Sequence, residues 1–513
     1  MMKKIFNFRP ILFIAMALII GGYAFSVLEK FDWWIFVALG VVACSFFVAF
    51  VFLFKYKNRK ICVEILSLVV IPFLIGGMVV SYFINQNKFG YSFGGTYYIE
   101  GVVKDGGVVE GNEISIMLEN VSISSVTDEN VIIENDNLTI YLSGYLKSDK
   151  EIYIGDKISF VGDLNANSDK TKGLLLNAKS VDGFAYNYTD ITVVETGSGF
   201  KYNILRTCKD VIFEHMDEDN ADVAFAMLFG KKMTMRNDLK QAYSMSGLSH
   251  VLAVSGLHVG FVIMLFGWLL GKIVKSKWVY AILLLSVLIF YSFLCDWSPS
   301  VIRAVVMCSV LLLSGGLNVQ YDGLNALSIA GIVNFIIDPL NIFSIGFLLS
   351  FMVVFSIFSI APQIMFLFKN KMPRKLASSI AVSVSAWIGS LPLLMFYFGE
   401  FSIYSVLINI LIVPLVGVVF IATTICLVLA IITGLGALML AIPNVLLAAL
   451  NFLATGFGLL KGAVLNFTCS YPIMLLGVIA IFVASDYNFI KRKWLYAGTL
   501  SLCFICCSII YGL

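Results

Sequence analysis

Long runs of apolar residues, separated by short polar stretches, recur along most of the chain. A helix that crosses the hydrocarbon core of a membrane needs about 20 mostly apolar residues. Runs of this kind lie at residues 11–28, 33–54, 61–84, 248–270, 278–294, 299–317, 324–340, 342–368, 377–398, 403–431, 436–457, 472–486 and 494–512. The pattern predicts a polytopic α-helical membrane protein with about 13 spans.

Basic residues cluster beside alternate predicted spans and therefore indicate the orientation of the chain. Lys and Arg in short loops stay on the cytoplasmic side of a membrane. The five clusters consist of Lys3, Lys4 and Arg9; Lys55, Lys57, Arg59 and Lys60; Lys272, Lys275 and Lys277; Lys369, Lys371, Arg374 and Lys375; and Lys491, Arg492 and Lys493. With thirteen spans, all five fall on one side. The N-terminus is therefore predicted in the cytoplasm, with residues 85–247 and the C-terminus outside the cell (inner) membrane.

A long polar segment over residues 85–247 interrupts the apolar runs. Within it, residues 96–196 alternate apolar and polar positions in short runs that turn signals separate. Five or six short strands over about 100 residues predict a small closed β-barrel, and the residues from Gly155 to Gly162 resemble the turn and strand of an OB-fold. Residues 200–247 have helical periodicity instead, which predicts one or two amphipathic helices on the outer membrane surface.

Composition agrees with a membrane protein and excludes several other classes. Of the 513 residues, 59% are hydrophobic and 13% are charged, whereas a soluble protein carries roughly 25% charged residues. The mean hydropathy is +0.92. These values exclude a soluble enzyme, a coiled coil and a disordered chain. Most of the ten cysteines lie in or beside apolar runs, so they are interpreted as small buried hydrophobic residues and not as a disulfide framework.

The distribution of charge gives evidence both against and for binding of nucleic acid. A net charge of +3 is too small for a protein that wraps around nucleic acid by bulk attraction, and residues 85–200 hold seventeen acidic against eight basic residues. The basic residues that could still gather into a DNA-binding face are Lys147, Lys150, Lys157, Lys170 and Lys172 in the barrel, and Lys231, Lys232 and Arg236 before the fourth span. The alternatives are a solvated acidic spacer domain and anchoring to lipid head groups.

The segment from Ser246 to Gly260 is the most specific in the chain. It resembles the signature of the ComEC competence proteins, the inner-membrane channels for DNA uptake in natural transformation. Further resemblances to this family follow in order, at residues 298–304, at 322–327 with 338–340, at 346–351, and at Pro392, Phe398, Asn409 and Pro414. The similarity covers roughly residues 200–430, and the family also has an OB-like domain upstream.

The resemblance implies a division of the chain and a function. The division is three N-terminal transmembrane helices (1–84), an extracytoplasmic OB-like domain (85–199), amphipathic interfacial helices (200–247) and a ComEC-type transmembrane domain (248–513). The implied function is a channel that passes single-stranded DNA inward during natural transformation. The alternative is a transporter or envelope-assembly protein that shares the fold without moving DNA.

Polar and ionisable residues inside apolar runs are candidates for the channel lining, because burying such groups in a bilayer is costly. They are Ser249, His250, Ser255, His258, Arg303 and Asp338. His258 lies eight positions after His250, which puts the two side chains about 80° apart around a helix. Both are therefore expected to face one aqueous path. The motif glycines Gly247, Gly256, Gly260 and Gly346 would allow close backbone approach or a helix break. The alternative is a buried hydrogen-bonded network in which Arg303 pairs with Asp338.

No enzymatic activity, cofactor or metal is predicted. Ser255 and His258 lie one turn apart without a nucleophile elbow, and two histidines make an incomplete zinc site. Many ComEC proteins continue into a metallo-β-lactamase-like domain, but this chain has three histidines and no phosphate-binding loop. The sequence therefore leads us to expect membrane lipid around the chain, and a separate DNA receptor, nuclease and cytoplasmic ATP-driven motor as partners. The oligomeric state is left open.

Overall fold

The computed structural model describes most of the chain. The described residues are 10–27, 69–86, 96–108, 113–125, 131–135, 140–145, 152–166, 183–186, 188, 191–232, 234–368, 371–402, 404–458, 464–467, 469–485 and 493–512. The predicted span at 33–54, and the candidate DNA contacts Lys147, Lys150, Lys170 and Lys172, lie outside these residues. The statements below concern the described residues.

Seven strands form one curled sheet in the N-terminal third of the chain. They are β1 (Thr96–Val108), β2 (Glu113–Ser125), β3 (Val131–Asn135), β4 (Ile140–Tyr145), β5 (Lys157–Ala166), β6 (Gly183–Tyr186) and β7 (Thr192–Glu195). Strand β1 pairs antiparallel with β2 and, along its other edge, with β5. Strand β2 continues to β4, which pairs in parallel with β6, and β6 pairs with β5. The pairing therefore returns to β1, while β3 and β7 extend β2 and β5.

The alternation of side chains in these strands makes the core of the sheet. Ile114, Ile116 and Leu118 are fully buried, and the residues between them are partly exposed. A strand that buries one face requires this period of two. The pairing of β1 with β2 has two register shifts, between Glu100 and Val102 and between Val103 and Asp105. Gly106, with φ +114°, follows the second, and a Cβ there would collide with the Ser115 carbonyl. The short strands predicted from the sequence are confirmed as a β-sheet.

The remaining described elements are helices, apart from a two-stranded sheet of β8 (Glu400–Ser402) and β9 (Val464–Asn466). They are α1 (Pro10–Val27), α2 (Ile71–Gln86), α3 (Phe200–His215), α4 (Glu218–Phe229), α5 (Asn237–Met245), α6 (Gly256–Ile273), α7 (Lys277–Leu294), α8 (Pro299–Gly316), α9 (Gly323–Ile337), α10 (Ile345–Leu367), α11 (Arg374–Tyr397), α12 (Ser405–Thr433), α13 (Gly436–Gly458), α14 (Tyr471–Ala484) and α15 (Lys493–Gly512). Short 3-10 helices lie at Ser249–Val251 and Pro339–Phe343.

By length and composition, seven of the described helices could cross a membrane: α6, α7, α8, α10, α11, α12 and α13. Shorter apolar helices lie at Ile11–Ala24, Ile71–Phe83, Gly323–Ile337 and Tyr471–Ala484. This set of apolar helices indicates a multi-pass membrane protein.

Two predicted spans have different ends in the structure. The span predicted at 248–270 begins only at Gly256, because the residues before it form the 3-10 helix and an extended Ser255 that caps α6. The span predicted at 324–340 ends at Ile337, where Asp338 turns the chain and caps the 3-10 helix that begins at Pro339. Both breaks follow from local polar groups that satisfy backbone donors, which apolar periodicity does not reveal.

The sequence predicts interfacial helices between the sheet and α6, but one of these helices is instead buried inside the helical domain. Helix α3 is amphipathic and buries Leu205, Cys208 and Ile212. Helix α4, in contrast, buries every residue from Asn220 to Phe229 and contacts α12 and α13. Helix α4 is therefore an interior element of the helical domain.

Candidate functional site

The signature segment folds into a tight turn that leads into helix α6. Gly247 has φ +77°, and a Cβ there would lie 2.7 Å from the Cβ of Ser405 at the start of α12. Ser246 donates a hydrogen bond from its hydroxyl to the Tyr243 carbonyl at 3.1 Å. Ser249 is exposed and begins the 3-10 helix. This turn positions the first residues of α6 beside α12.

A capping box fixes the start of α6. The Ser255 hydroxyl accepts a hydrogen bond from the Leu257 amide at 3.3 Å, and the Ser255 amide donates to Nδ1 of His258 at 3.2 Å. His258 therefore takes the place that Glu or Gln usually fills in this motif. Because Nδ1 accepts, the neutral imidazole carries its proton on Nε2.

The ring of His258 is fully buried among aromatic side chains. Its centroid lies 6.2 Å from that of Phe261 and 5.5 Å from that of Phe420 on α12. The Nε2 atom is buried and has no hydrogen-bond partner among the described residues. The side chain thus joins α6 to α12 and faces neighbouring rings.

His250 does not share a helix face with His258, so the expected 80° relation is wrong. His250 lies in the 3-10 helix, with Nδ1 3.2 Å from the Gly247 carbonyl, and the α6 helix begins six residues later. Burial lowers the pKa of His250, which keeps this imidazole neutral at pH 7.

Arg303 lies where α6, α8 and α10 meet. Its guanidinium rests against Gly256, so closely that a Cβ at this glycine would collide with Nη2. Nη1 donates a hydrogen bond to the Ser350 carbonyl on α10, while the buried Nε has no partner among the described residues. The side chain is 6% exposed. The pairing of Arg303 with Asp338, which belonged to the alternative interpretation, is therefore not formed. Asp338 instead caps the next 3-10 helix by accepting from the Leu340 amide at 2.9 Å.

The first turns of α6, α8, α10 and α12 lie on one side of the helical domain, here called the N-terminal face. Short connections alternate the direction of successive helices, and three contacts join the starts of these four. Arg303 touches Gly256, Gly247 approaches Ser405, and the Ser300 hydroxyl donates to the Gly346 carbonyl at 3.2 Å. Each helix start carries a partial positive charge.

Two of the four motif glycines are not required by packing. A Cβ at Gly260 or at Gly346 would have no neighbour within 4 Å among the residues that the structure describes, and both residues are exposed. Gly247 and Gly256 are the glycines at which another part of the chain approaches closely.

Of the four basic candidates for DNA contact that the structure describes, three form ion pairs. Lys157 pairs with Glu100 at 2.6 Å, and Arg236 pairs with Asp238 at 2.9 Å. Lys231 is 5% exposed and pairs with Asp296 at 2.5 Å. The side chain of Lys232 is exposed. Lys232 is the described candidate that keeps an outward-facing cation.

Asp296, which the sequence analysis missed, joins the sheet to the helical domain. It lies in the short loop between α7 and α8 at φ +54° and pairs with Lys201 on α3 as well as with Lys231. Lys231 also donates to the Lys104 carbonyl on β1 at 2.6 Å. Burial would raise the pKa of Asp296, but the two lysines outweigh it and hold that pKa below its usual range. The sequence did contain a signal for this role, since Asp296 is an isolated acidic residue in a loop of a few residues between two spans.

Arg206 on α3 makes a second tie to the sheet. Its Nη2 donates to Oδ1 of Asp156 at 2.9 Å, and its guanidinium lies over the Tyr153 ring. Asp156 is 1% exposed and also accepts from the Gly197 amide at 3.0 Å. The buried carboxylate of Asp156 therefore ties the sheet to α3, and the partly exposed carboxylate of Asp296 holds Lys231, which contacts β1.

A polar network missed by the sequence analysis lies inside the helical domain. The Asn451 amide donates to Asn220 at 2.8 Å and accepts from the Tyr243 hydroxyl at 2.7 Å, and Asn220 also donates to Asn444 at 2.8 Å. The network joins α4 and α5 to α13. Within the described part of the chain, no group of three or more His, Cys, Asp or Glu side chains could hold a metal ion.

Comparisons with known proteins identify a family model and two relatives that match this chain. A family model described as "Competence protein" matches residues 227–506, more than half of the chain. The ComE operon protein 3 of Bacillus subtilis (strain 168) is 31% identical over 232 residues, which are 45% of this chain and 29% of that protein. An uncharacterised protein of Aquifex aeolicus (strain VF5) is 29% identical over 179 residues, 35% of this chain and 41% of that protein. The alignments thus span less than half of either relative, and no solved structure matches.

Proposed function

Because this chain belongs to the ComEC family of competence proteins, we propose that it is a channel subunit that passes single-stranded DNA across the cell membrane into the cytoplasm. One observation carries the proposal: the family match over residues 227–506 contains every helix of the N-terminal face. The name of the Bacillus relative gives an operon and no activity, so the proposed function comes to this chain from the family.

The chemistry of the N-terminal face supports passage of a polyanion. Ser255, Ser300, His258 and Arg303, which lie there, are donors or neutral. The carboxylate of Asp296, just before α8, is paired with two lysines. Four helix starts add positive partial charge to the same side. A phosphate backbone would meet attraction at this entrance.

We further propose that the sheet is an OB-type barrel on the outer side of this entrance. The strand order β1-β2-β4-β6-β5-β1, with one parallel pair, supports it. OB-folds bind oligonucleotides, although a fold alone does not assign a ligand. Lys157, Lys231 and Arg236 form ion pairs within the chain, so the proposed DNA contacts are Lys232 together with Lys147, Lys150, Lys170 and Lys172.

The proposed topology has thirteen spans, a cytoplasmic N-terminus and residues 85–247 outside. The basic residues Lys272, Lys275 and Lys277 lie at the α6–α7 connection, and Lys371, Arg374 and Lys375 lie at the α10–α11 connection. Both connections are at the end of the helices opposite the N-terminal face. The positive-inside rule then puts the N-terminal face and its barrel outside.

We propose that this chain moves DNA without cutting it. Strand separation and pulling require work, so a DNA receptor, a nuclease and an ATP-driven motor are expected as separate partners, the motor near Lys369 to Lys375. The purified chain should leave DNA intact with Mg²⁺, Mn²⁺ or Zn²⁺. Metal-dependent cleavage that is lost on changing His250 or His258 would replace the channel by an enzyme.

The decisive experiment deletes the gene in a transformable strain and follows labelled DNA. Entry of DNA into the nuclease-protected cytoplasmic pool should be lost and restored by the wild-type chain. DNA that still binds outside the cell would show that the receptor is intact. Unchanged entry would remove the channel proposal and favour a transporter or envelope-assembly protein that shares the fold.

A further inference from the structure

Arg303 is a buried cation with too few partners. Its side chain is 6% exposed, and a guanidinium presents five N–H donors. Only the contact from Nη1 to the Ser350 carbonyl is a hydrogen bond within the described residues, and Nε is buried without a partner. No carboxylate of the described chain pairs with it. A buried charge in this state is costly unless another group compensates it.

The neighbouring helix end makes this cost larger. The guanidinium touches Gly256, the first residue of α6, a helix of 18 residues whose start carries partial positive charge. Two positive groups therefore face each other at one point. An anion bound beside both groups would compensate both positive charges, since helix starts bind phosphate and the guanidinium fork binds its oxygens in pairs.

The absence of a side chain at residue 256 is needed for this arrangement. A Cβ at Gly256 would collide with Nη2 of Arg303. The surroundings also leave access for a ligand, because Ser255 and Gly256 are partly exposed and Gly346, near the start of α10, is exposed. The place where α6, α8 and α10 meet is thus open on the N-terminal face.

We propose that Arg303 and the first turn of α6 form a binding site for one phosphodiester group of the DNA strand as it enters the helical domain. This inference rests on the proposed function, and it assigns the contact that holds the strand at the entrance. A phospholipid head group has the same phosphodiester chemistry, so the experiment must distinguish the two sources.

The first measurement uses the purified full chain in detergent free of phospholipid. Inorganic phosphate replaces chloride at constant ionic strength while the melting temperature is followed. Phosphate should stabilise the wild type and Arg374→Gln, an exposed arginine at the start of α11. It should not stabilise Arg303→Gln, and Gly256→Ala should need at least tenfold more phosphate. Arg303→Lys keeps the charge without the guanidinium fork, so its stabilisation by phosphate should lie between that of the wild type and that of Arg303→Gln.

The second measurement uses a labelled oligothymidylate of about ten nucleotides, a length within the range that single-strand sites cover. Its affinity should fall at least tenfold in Arg303→Gln. A matched oligonucleotide with neutral methylphosphonate linkages should bind both proteins equally weakly. Addition of phosphatidylglycerol should leave the oligonucleotide affinity unchanged. Competition by this lipid, lost in Arg303→Gln, would show that a lipid head group is the occupant and overturn the assignment to DNA.

The outcomes separate this site from the proposed function. Equal phosphate stabilisation of the wild type and Arg303→Gln, or none of either, would overturn the site even if DNA uptake depends on the gene. A different result is that phosphate stabilises only the purified wild type while DNA uptake by the cell does not need the gene. That result would keep the phosphate site and remove its assignment to DNA.

Discussion

Two lysines from different parts of the chain share the carboxylate of Asp296. Lys201 comes from α3 and Lys231 from the α4–α5 connection, and Lys231 is 5% exposed. Removing one partner of a buried ion pair leaves an uncompensated charge. At the scale of single residues, this carboxylate is one of two that link the sheet to the helical domain, the other being Asp156 with Arg206.

We expect Asp296→Asn to lower the stability of the purified chain by about 3 kcal/mol. Limited proteolysis should also release the sheet earlier than in the wild type, because Lys231 holds the Lys104 carbonyl of β1. The matched control is Asp238→Asn, whose carboxylate pairs with Arg236 at an exposed site and should cost at most about 1 kcal/mol. Equal effects of the two substitutions would contradict the assigned role.

The burial of Asp222 predicts how the stability of the chain depends on pH. It is 4% exposed and accepts a hydrogen bond from the Thr234 hydroxyl at 2.8 Å. Burial raises the pKa of Asp222 to about 6. Between about pH 4 and pH 6 the native chain holds a proton that the unfolded chain has lost, so the stability contributed by this group falls as the pH rises.

Asp222→Asn should therefore raise the melting temperature at pH 7.5 and flatten the loss of stability between about pH 4 and pH 6. The upper limit of the gain is roughly 3 kcal/mol. Thermal unfolding over a pH series measures both effects. Asp219→Asn, on the exposed side of the same helix, should change neither, and a lower melting temperature of Asp222→Asn at pH 7.5 would refute the argument.

At the scale of elements, the start of α6 depends on the side chain of Ser255. Its hydroxyl satisfies the Leu257 amide, and loss of an N-cap hydroxyl typically costs about 1 kcal/mol. We expect Ser255→Ala to destabilise the chain by this amount and Ser255→Asp, which can still cap, to keep most of the stability. Chemical denaturation of the purified protein compares the three. Equal loss in both variants would mean that the cap does not set the start of the helix.

Periodicity predicts elements well where it follows burial and less well at their ends. Ile114, Ile116 and Leu118 alternate along β2, so the strand is visible in the sequence. The start of α6 is not, because residues 248–255 are as apolar as a span and only the bonds of Ser255 and His258 stop the helix there. The interior position of α4 was also missed, since it depends on α12 and α13, some two hundred residues later.

At the scale of the whole molecule, partners distant in sequence decide the candidate site. Arg303 was identified from its cost in a bilayer, but its place beside Gly256 and Ser350 depends on how α6, α8 and α10 pack. Asp296 joins Lys201 and Lys231, which lie 95 and 65 residues away. The sequence indicates which residues are unusual, and the tertiary fold decides which of them meet.

Orientation is the prediction that belongs to the complete chain. The connections after α6 and α10 carry basic residues, while the opposite ends of these helices lie on the N-terminal face. A cysteine placed at Asn130, between β2 and β3, should react with an impermeant thiol reagent added to intact cells. One at Asn370, between α10 and α11, should react only after the cells are opened. The unsubstituted chain measures the background from its ten cysteines, and the reverse labelling pattern would put the phosphate site and the barrel on the cytoplasmic side, where incoming DNA arrives last.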